Sequence, residues 1–186
     1  SLGDVVHAMP AVQDIRQAGD RNAVYALIAH IEDPDQQTGL YIAQGLIELA
    51  SYEQLAPLLL LTDRGSTDGR WRAAYVLGQR KDPRALPALM RAFRDPDVLV
   101  TRTAAEALAN IGTSSAIRAL MEELQSPRPA VVHAAKWGLL TLGDAAVPAL
   151  AAGLDSGNRA LEINASIVLE AIGTPAARRV MQPNMQ

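Results

Sequence analysis

The sequence predicts an all-α solenoid of about five to six two-helix units, and three observations carry that expectation. Ala73, Ala104, Ala135 and Ala165 recur at steps of 31, 31 and 30 residues, with Ala43 in register one unit earlier. Gly112, Gly143 and Gly173 close the same helix in successive copies, with Lys81 in that place in the earlier one. Apolar residues recur three and four apart, the spacing of one buried helical face, and no stretch alternates with the period of a strand. A two-helix unit cannot bury its apolar face alone, so such units must stack.

Taken in order, the chain divides into a half unit over 1–19 and repeats over about 20–50, 51–81, 82–112, 113–143 and 144–173. A terminal half unit over 174–186 completes a single domain of 186 residues. The opening "SLGDVVHAMPAVQDI" resembles the strand-exit loop and first helix of a nucleotide-sugar glycosyltransferase. That fold needs a strand before it and alternating strands after it, and neither is present. In register with the repeats, the stretch is a second helix closing at Gly19, and Gly19-Asp20 matches Gly143-Asp144. Each end reads as a cap or as an internal face of a longer array.

The first helix of each unit is short, with Ala85, Leu86, Leu89 and Phe93 expected inside in one copy. Ile117, Leu120 and Leu124 fill that place in the next, and Val147, Leu150 and Leu154 in the one after. The turns "EDPD", "RDPD", "QSPRP" and "DSGN" follow, built from residues that break helices. The second helix then runs to its closing glycine, whose tolerance of positive φ suits a C-cap. "TDRGSTDG" is expected as a longer loop between the second and third repeats.

Composition bounds the function. Hydrophobic residues make up 49% and charged residues 20%, enough for a core and against long disorder. Without cysteine there is no disulfide, thiolate nucleophile or cysteine-ligated metal. No run of 18 apolar residues and no basic-plus-apolar leader is visible, so no membrane contact is expected and the expected location is cytoplasmic. Residues 1–63 carry nine acidic and two basic side chains, and residues 64–102 carry nine basic and four acidic ones. A net charge of −3 argues against a dedicated duplex-DNA binder, while the basic centre suits an acidic partner.

"RWRAAYVLG", "AAEALANIG" and "LGDAAVPAL" resemble HEAT-like repeats, and more narrowly the short bacterial type named after phycobilisome lyases. The resemblance covers nearly the whole chain and implies a right-handed superhelix. One departure is the arginine characteristic of the second helix, which survives only as Arg70; Leu40, Thr101, Val132 and Glu162 replace it. The resemblance implies that the second helices line a concave groove. One outward column then reads Met9, Tyr41, Trp71, Arg102, His133 and Ile163, and a second, one turn on, reads Gln13, Gly45, Tyr75, Glu106, Trp137 and Ile167. Of these, Tyr41, Trp71, Tyr75, Arg102, Glu106, His133 and Trp137, with Arg72 beside them, are the expected partner-binding residues. Trp, Tyr and Arg dominate binding hot spots, and Arg70, Arg72 and Arg102 are expected to attract acidic groups. Arg102–Glu106 is equally an exposed helical ion pair, and His133 is placed to bond Glu106 across neighbouring helices.

No catalytic constellation stands out. His7, His30 and His133 are not spaced i, i+4, and no His-Glu dipeptide of the HEAT-type iron hydroxylases occurs, so no metal and no cofactor are expected. The paired carboxylates Glu122-Glu123 and Asp33/Asp35 are expected at solvated helix ends or turns, and no Walker loop or dinucleotide fingerprint is present. The main expectation is a non-catalytic module that binds a protein through its groove and is able to self-associate through its ends. The alternative implied by the resemblance is a bilin chromophore lyase or bilin-handling protein, with Arg72 and Arg102 on propionates and Trp71, Tyr75 and Trp137 on pyrroles. A second alternative is a HEAT-like DNA glycosylase, which the acidic net charge disfavours.

Overall fold

A computed structural model describes residues 21–51 and 53–182. The expected half unit over 1–19, with Met9 and Gln13, lies outside the described residues. Within them the chain is an all-α solenoid. Helices α1 (Arg21–Ala29) and α2 (Gln36–Leu49) are followed by α3 (Ala56–Arg64) and α4 (Thr67–Gln79), then α5 (Leu86–Ala92) and α6 (Val98–Ile111). Next come α7 (Ser114–Glu122) and α8 (Pro129–Leu142), α9 (Val147–Leu154) and α10 (Arg159–Ile172), and α11 (Pro175–Met181). Even-numbered helices pack on their even-numbered neighbours from α2 to α10, and odd-numbered ones do so from α3 to α11, giving two layers with the core between them.

The repeating alanines make the even-numbered layer possible. Ala43, Ala73, Ala104, Ala135 and Ala165 are all fully buried. Helices α4 and α6 approach closely enough that a Cβ on Gly78 would fall 2.6 Å from Ala107 Cα. No side chain larger than hydrogen fits at position 78 without moving a backbone. The odd-numbered layer supplies the bulk. Leu89, Phe93, Leu120, Leu124, Val147 and Leu150 are buried as the spacing predicts, while Leu86, Ile117 and Leu154 are only half-buried.

Local signals set the helix ends. Asp35, Ser66, Asp97 and Asn158 each cap the helix that follows, accepting hydrogen bonds from backbone N–H groups in its first turn. Arg128 holds the equivalent place before α8, where Pro129 starts the helix without a donor to satisfy. Gly112 and Gly173 end α6 and α10 in the left-handed region. Gly143 ends α8 at φ 57°, ψ −129°, a conformation side chains strongly disfavour. Lys81, the non-glycine at this place, also takes positive φ, at 53°.

One expectation changes. "TDRGSTDG" is mostly helix: α3 runs to Arg64 and α4 begins at Thr67, so only Gly65 and Ser66 separate them. The buried Thr62 hydroxyl donates back to Leu59 O and keeps the last turn of α3 helical. Pro129–Leu154 is long and apolar enough by composition to cross a membrane. Gly143 breaks it into α8, of 14 residues, and α9, of 8, each shorter than the roughly 20 residues a span requires.

Candidate functional site

The arginines of the basic centre are largely consumed inside the fold. Arg72 is fully buried, so it does not belong to the exposed face where the sequence places it. It stands at a helix-packing position of α4, and its Nη1 donates to Ile31 O (2.9 Å) and Asp33 O (2.7 Å) in the α1–α2 turn. Its nearest carboxylate, Asp68, is 3.9 Å away. Arg70 donates through Nε and Nη2 to both oxygens of Asp95, at 2.8 and 3.1 Å, and through Nη1 to Gly65 O. The Asp95 hydrogen bond raises the Arg70 pKa above its ordinary value against the effect of burial. Arg128 reaches Arg94 O and Asp95 O. These guanidiniums tie each turn to a neighbouring unit, because the turn carbonyls at the helix ends would otherwise be unpaired.

Glu123 is likewise not solvated: it is buried and paired with Arg94. Asp33 and Asp35 serve the turn before α2, Asp33 accepting from Asp35 N and Asp35 from Thr38 N. Among the described residues no group of His, Asp and Glu is arranged to hold a metal.

The remaining expected site residues fall into four parts along the even-numbered helices. On α4, Trp71 and Tyr75 are half-buried and packed against the core. Trp71 Nε1 donates to Asp68 Oδ1 at 3.0 Å, and its ring lies 5.2 Å from Arg72 Cζ, so it covers the buried cation. On α6, Arg102 and Glu106 are exposed. Among the described residues no ion pair joins them, and no hydrogen bond links Glu106 to His133. Tyr41, on α2, is exposed at the far end of the row beside Leu40.

The fourth part is where apolar surface collects. Trp137 on α8 is 49% exposed, and Ile163 and Ile167 on α10 are 50% and 45% exposed. A cleft of about 260 Å³ between α8 and α10 is lined by His133, Lys136, Trp137, Leu140, Ile167 and Val168. Lys136 Nζ donates to Asn164 Oδ1 at 3.2 Å, and Asn164 Nδ2 donates to Leu124 O at 2.7 Å, which fixes the ammonium beside the indole. Lys136 and Leu140 were not singled out from the sequence, although they stand three and seven residues from His133 on the same helical face. Gly45, in the second outward column, is buried instead.

The profile of the HEAT repeats family matches residues 55–140. Residues 55–140 therefore carry HEAT repeats, and the rest of the described chain continues the same two-helix pattern. The chain is 36% identical over 131 residues to phycocyanobilin lyase subunit alpha of Picosynechococcus sp., an overlap of 60% of this chain and 48% of that protein. It is 42% identical over 74 residues to the bilin biosynthesis protein PecE of Mastigocladus laminosus, an overlap of 39% of this chain and 28% of that protein. The HEAT-like chain thus spans about half or less of the length of these relatives. Its fold is that of a chain in the structure of the complex of CpcE and CpcF of phycocyanin lyase from Nostoc sp. PCC7120. The TM-score is 0.60 at 22% identity, over 80% of this chain and 99% of that one.

Proposed function

We propose that this protein handles a bilin together with a protein partner, in the manner of a phycobilisome-lyase-type subunit. The observation that carries the proposal is that two relatives, at 36% and 42% identity, are named for a bilin lyase subunit and for bilin biosynthesis. It takes precedence over the plainer expectation of a non-catalytic scaffold. The place for the ligand is the α8–α10 cleft. Trp137 offers a flat apolar face for a pyrrole ring, and Lys136 and His133 stand beside it to receive a propionate.

The cleft suits only part of such a molecule. Sites that enclose a drug-sized ligand span roughly 300–1,000 Å³, and this one holds about 260 Å³. Exposed Ile163 and Ile167 continue the apolar surface beyond the cleft, where a partner's surface would complete the enclosure. Binding through Arg72, one of the cations expected on a propionate, is not part of this reading.

The test is a titration with phycocyanobilin, followed by visible absorbance, of the wild type and of the Trp137→Ala and Lys136→Gln variants. The expected result is a saturable change in the bilin spectrum that weakens by about tenfold or more in Trp137→Ala. A bilin spectrum unaltered by excess wild-type protein refutes the proposal. A change that persists in both variants moves the site off the α8–α10 cleft.

A further inference from the structure

A second site lies on the odd-numbered layer and shares no residue with the Trp137 cleft. Helices α7 and α9 bound a groove of about 540 Å³, walled by Ile117, Met121, Pro148, Ala149, Ala152 and Leu161. Its volume falls within the range of roughly 300–1,000 Å³ typical of small-molecule sites. Helix α9, "VPALAAGL", carries no charged or hydrogen-bonding side chain, yet Pro148 and Ala152 on it are exposed. A surface helix ordinarily turns a polar face to water.

Arg118 is the one charged residue in the lining, and Ser114, one turn before it on α7, is the one hydroxyl. The Arg118 side chain is 74% exposed, and among the described residues its one ion pair is a loose contact with Glu122 at 3.8 Å. A guanidinium held that loosely retains donors in the fork geometry that fits a carboxylate. The groove runs along α7 from Ser114 to Met121, about 10 Å at the rise of a helix, with its polar groups at the Ser114–Arg118 end.

We propose that this groove binds an elongated apolar molecule bearing a single carboxylate, with the chain between α7 and α9 and the carboxylate on Arg118. The charge pattern selects an anion, since a neutral apolar guest would make no use of Arg118 and an amine would meet it as a like charge.

The experiment uses 11-(dansylamino)undecanoic acid and its methyl ester as fluorescent probes of the full chain. The wild type is expected to bind the acid saturably, one per chain, and more tightly than the ester. Arg118→Gln is expected to weaken the acid about tenfold and leave the ester unchanged. Ala152→Phe places a ring in the groove from an exposed position and is expected to weaken both probes. Ala149→Phe, which plugs it from α9 one turn earlier, provides a second blocked form, and helical circular dichroism identifies any variant that does not fold. Absence of saturable binding to the wild type overturns the proposal. So does an unchanged acid-to-ester ratio in Arg118→Gln. Binding that survives both plugs but is lost in Trp137→Ala also overturns it, by placing the probe in the other cleft. None of these outcomes bears on the phycocyanobilin titration.

Discussion

Replacing Gly39 by Ala tests whether the buried arginine organises the first described units. On helix propensity alone this substitution, inside α2, should stabilise by up to about 1 kcal/mol. The packing reverses the sign. A Cβ at position 39 would lie 2.6 Å from Arg72 Nε and closer still to Cζ and Nη1. The guanidinium cannot move aside freely, because it is fully buried and Nη1 is bound to Ile31 O and Asp33 O. Displacing it sacrifices both bonds, each worth about 1.5–3 kcal/mol when a charged group is involved. Setting roughly 3–6 kcal/mol of loss against the propensity gain gives a net destabilisation of about 2–5 kcal/mol. Urea unfolding of the wild type, Gly39→Ala, Arg72→Met and the double variant measures it. In the Arg72→Met background the fork is gone, so Gly39→Ala should be neutral or mildly stabilising, giving a coupling energy of at least about 2 kcal/mol. A Gly39→Ala protein as stable as the wild type or more so, or additive effects in the double variant, would refute the reasoning.

Four further predictions concern caps and turns. Lys81→Gly should stabilise by about 1 kcal/mol, since it relieves a side chain at φ 53°. Gly143→Ala at φ 57°, ψ −129° should cost about 1–3 kcal/mol; thermal unfolding reads both. Arg70→Lys keeps the charge but loses the two-pronged contact with Asp95, so it should destabilise by about 1–3 kcal/mol by urea unfolding, against nearly none for Arg102→Lys on the exposed face. Acid should weaken the fold through Asp82 and Asp35. Burial opposes ionisation of Asp82, but hydrogen bonds from the Arg84 guanidinium and backbone N–H outweigh it and hold the pKa below the ordinary carboxylate value. At Asp35 the Thr38 backbone N–H does the same. A depressed folded-state pKa gives stability that is present above the unfolded value of about 4 and lost as pH falls through the folded one. The stability difference between wild type and Asp82→Asn should therefore be flat above about pH 5 and shrink below about pH 4, as urea midpoints will show.

The fold was legible because its signals repeat. The fully buried column from Ala43 to Ala165 and the positive φ at Lys81, Gly112, Gly143 and Gly173 occupy the places that the period of about 31 residues assigns them. The site was legible only in outline, because the period says where a helical face points and not what a neighbouring turn demands of it. Arg72 sits one residue from the outward column, and a rotation of 100° per residue takes it from the face to the core. The free carbonyls of Ile31 and Asp33 draw it inward, and nothing in "RWRAAYVLG" announces them, since the partners lie 41 and 39 residues away. Trp137 has the opposite surroundings. Its helix is followed across the row by Ile163 and Ile167, residues that offer no hydrogen bond to turn it inward, and it stays half in solvent.

That contrast decides which aromatic pair can serve a ligand. Trp71 already has a polar partner in Asp68 and a cation beneath its ring, so recruiting it would break the Nε1–Asp68 hydrogen bond and the ring–cation contact. Losing those two contacts opposes a guest that stacks on Trp71. At α8–α10 no such contacts have to break. The ammonium of Lys136 is held by Asn164 and the indole is open, so a planar anion gains apolar burial and a charge contact together. On the proposed reading, recognition through the even-numbered row concentrates at its C-terminal end. The basic residues that give the centre of the sequence its charge serve mainly to hold the units in register.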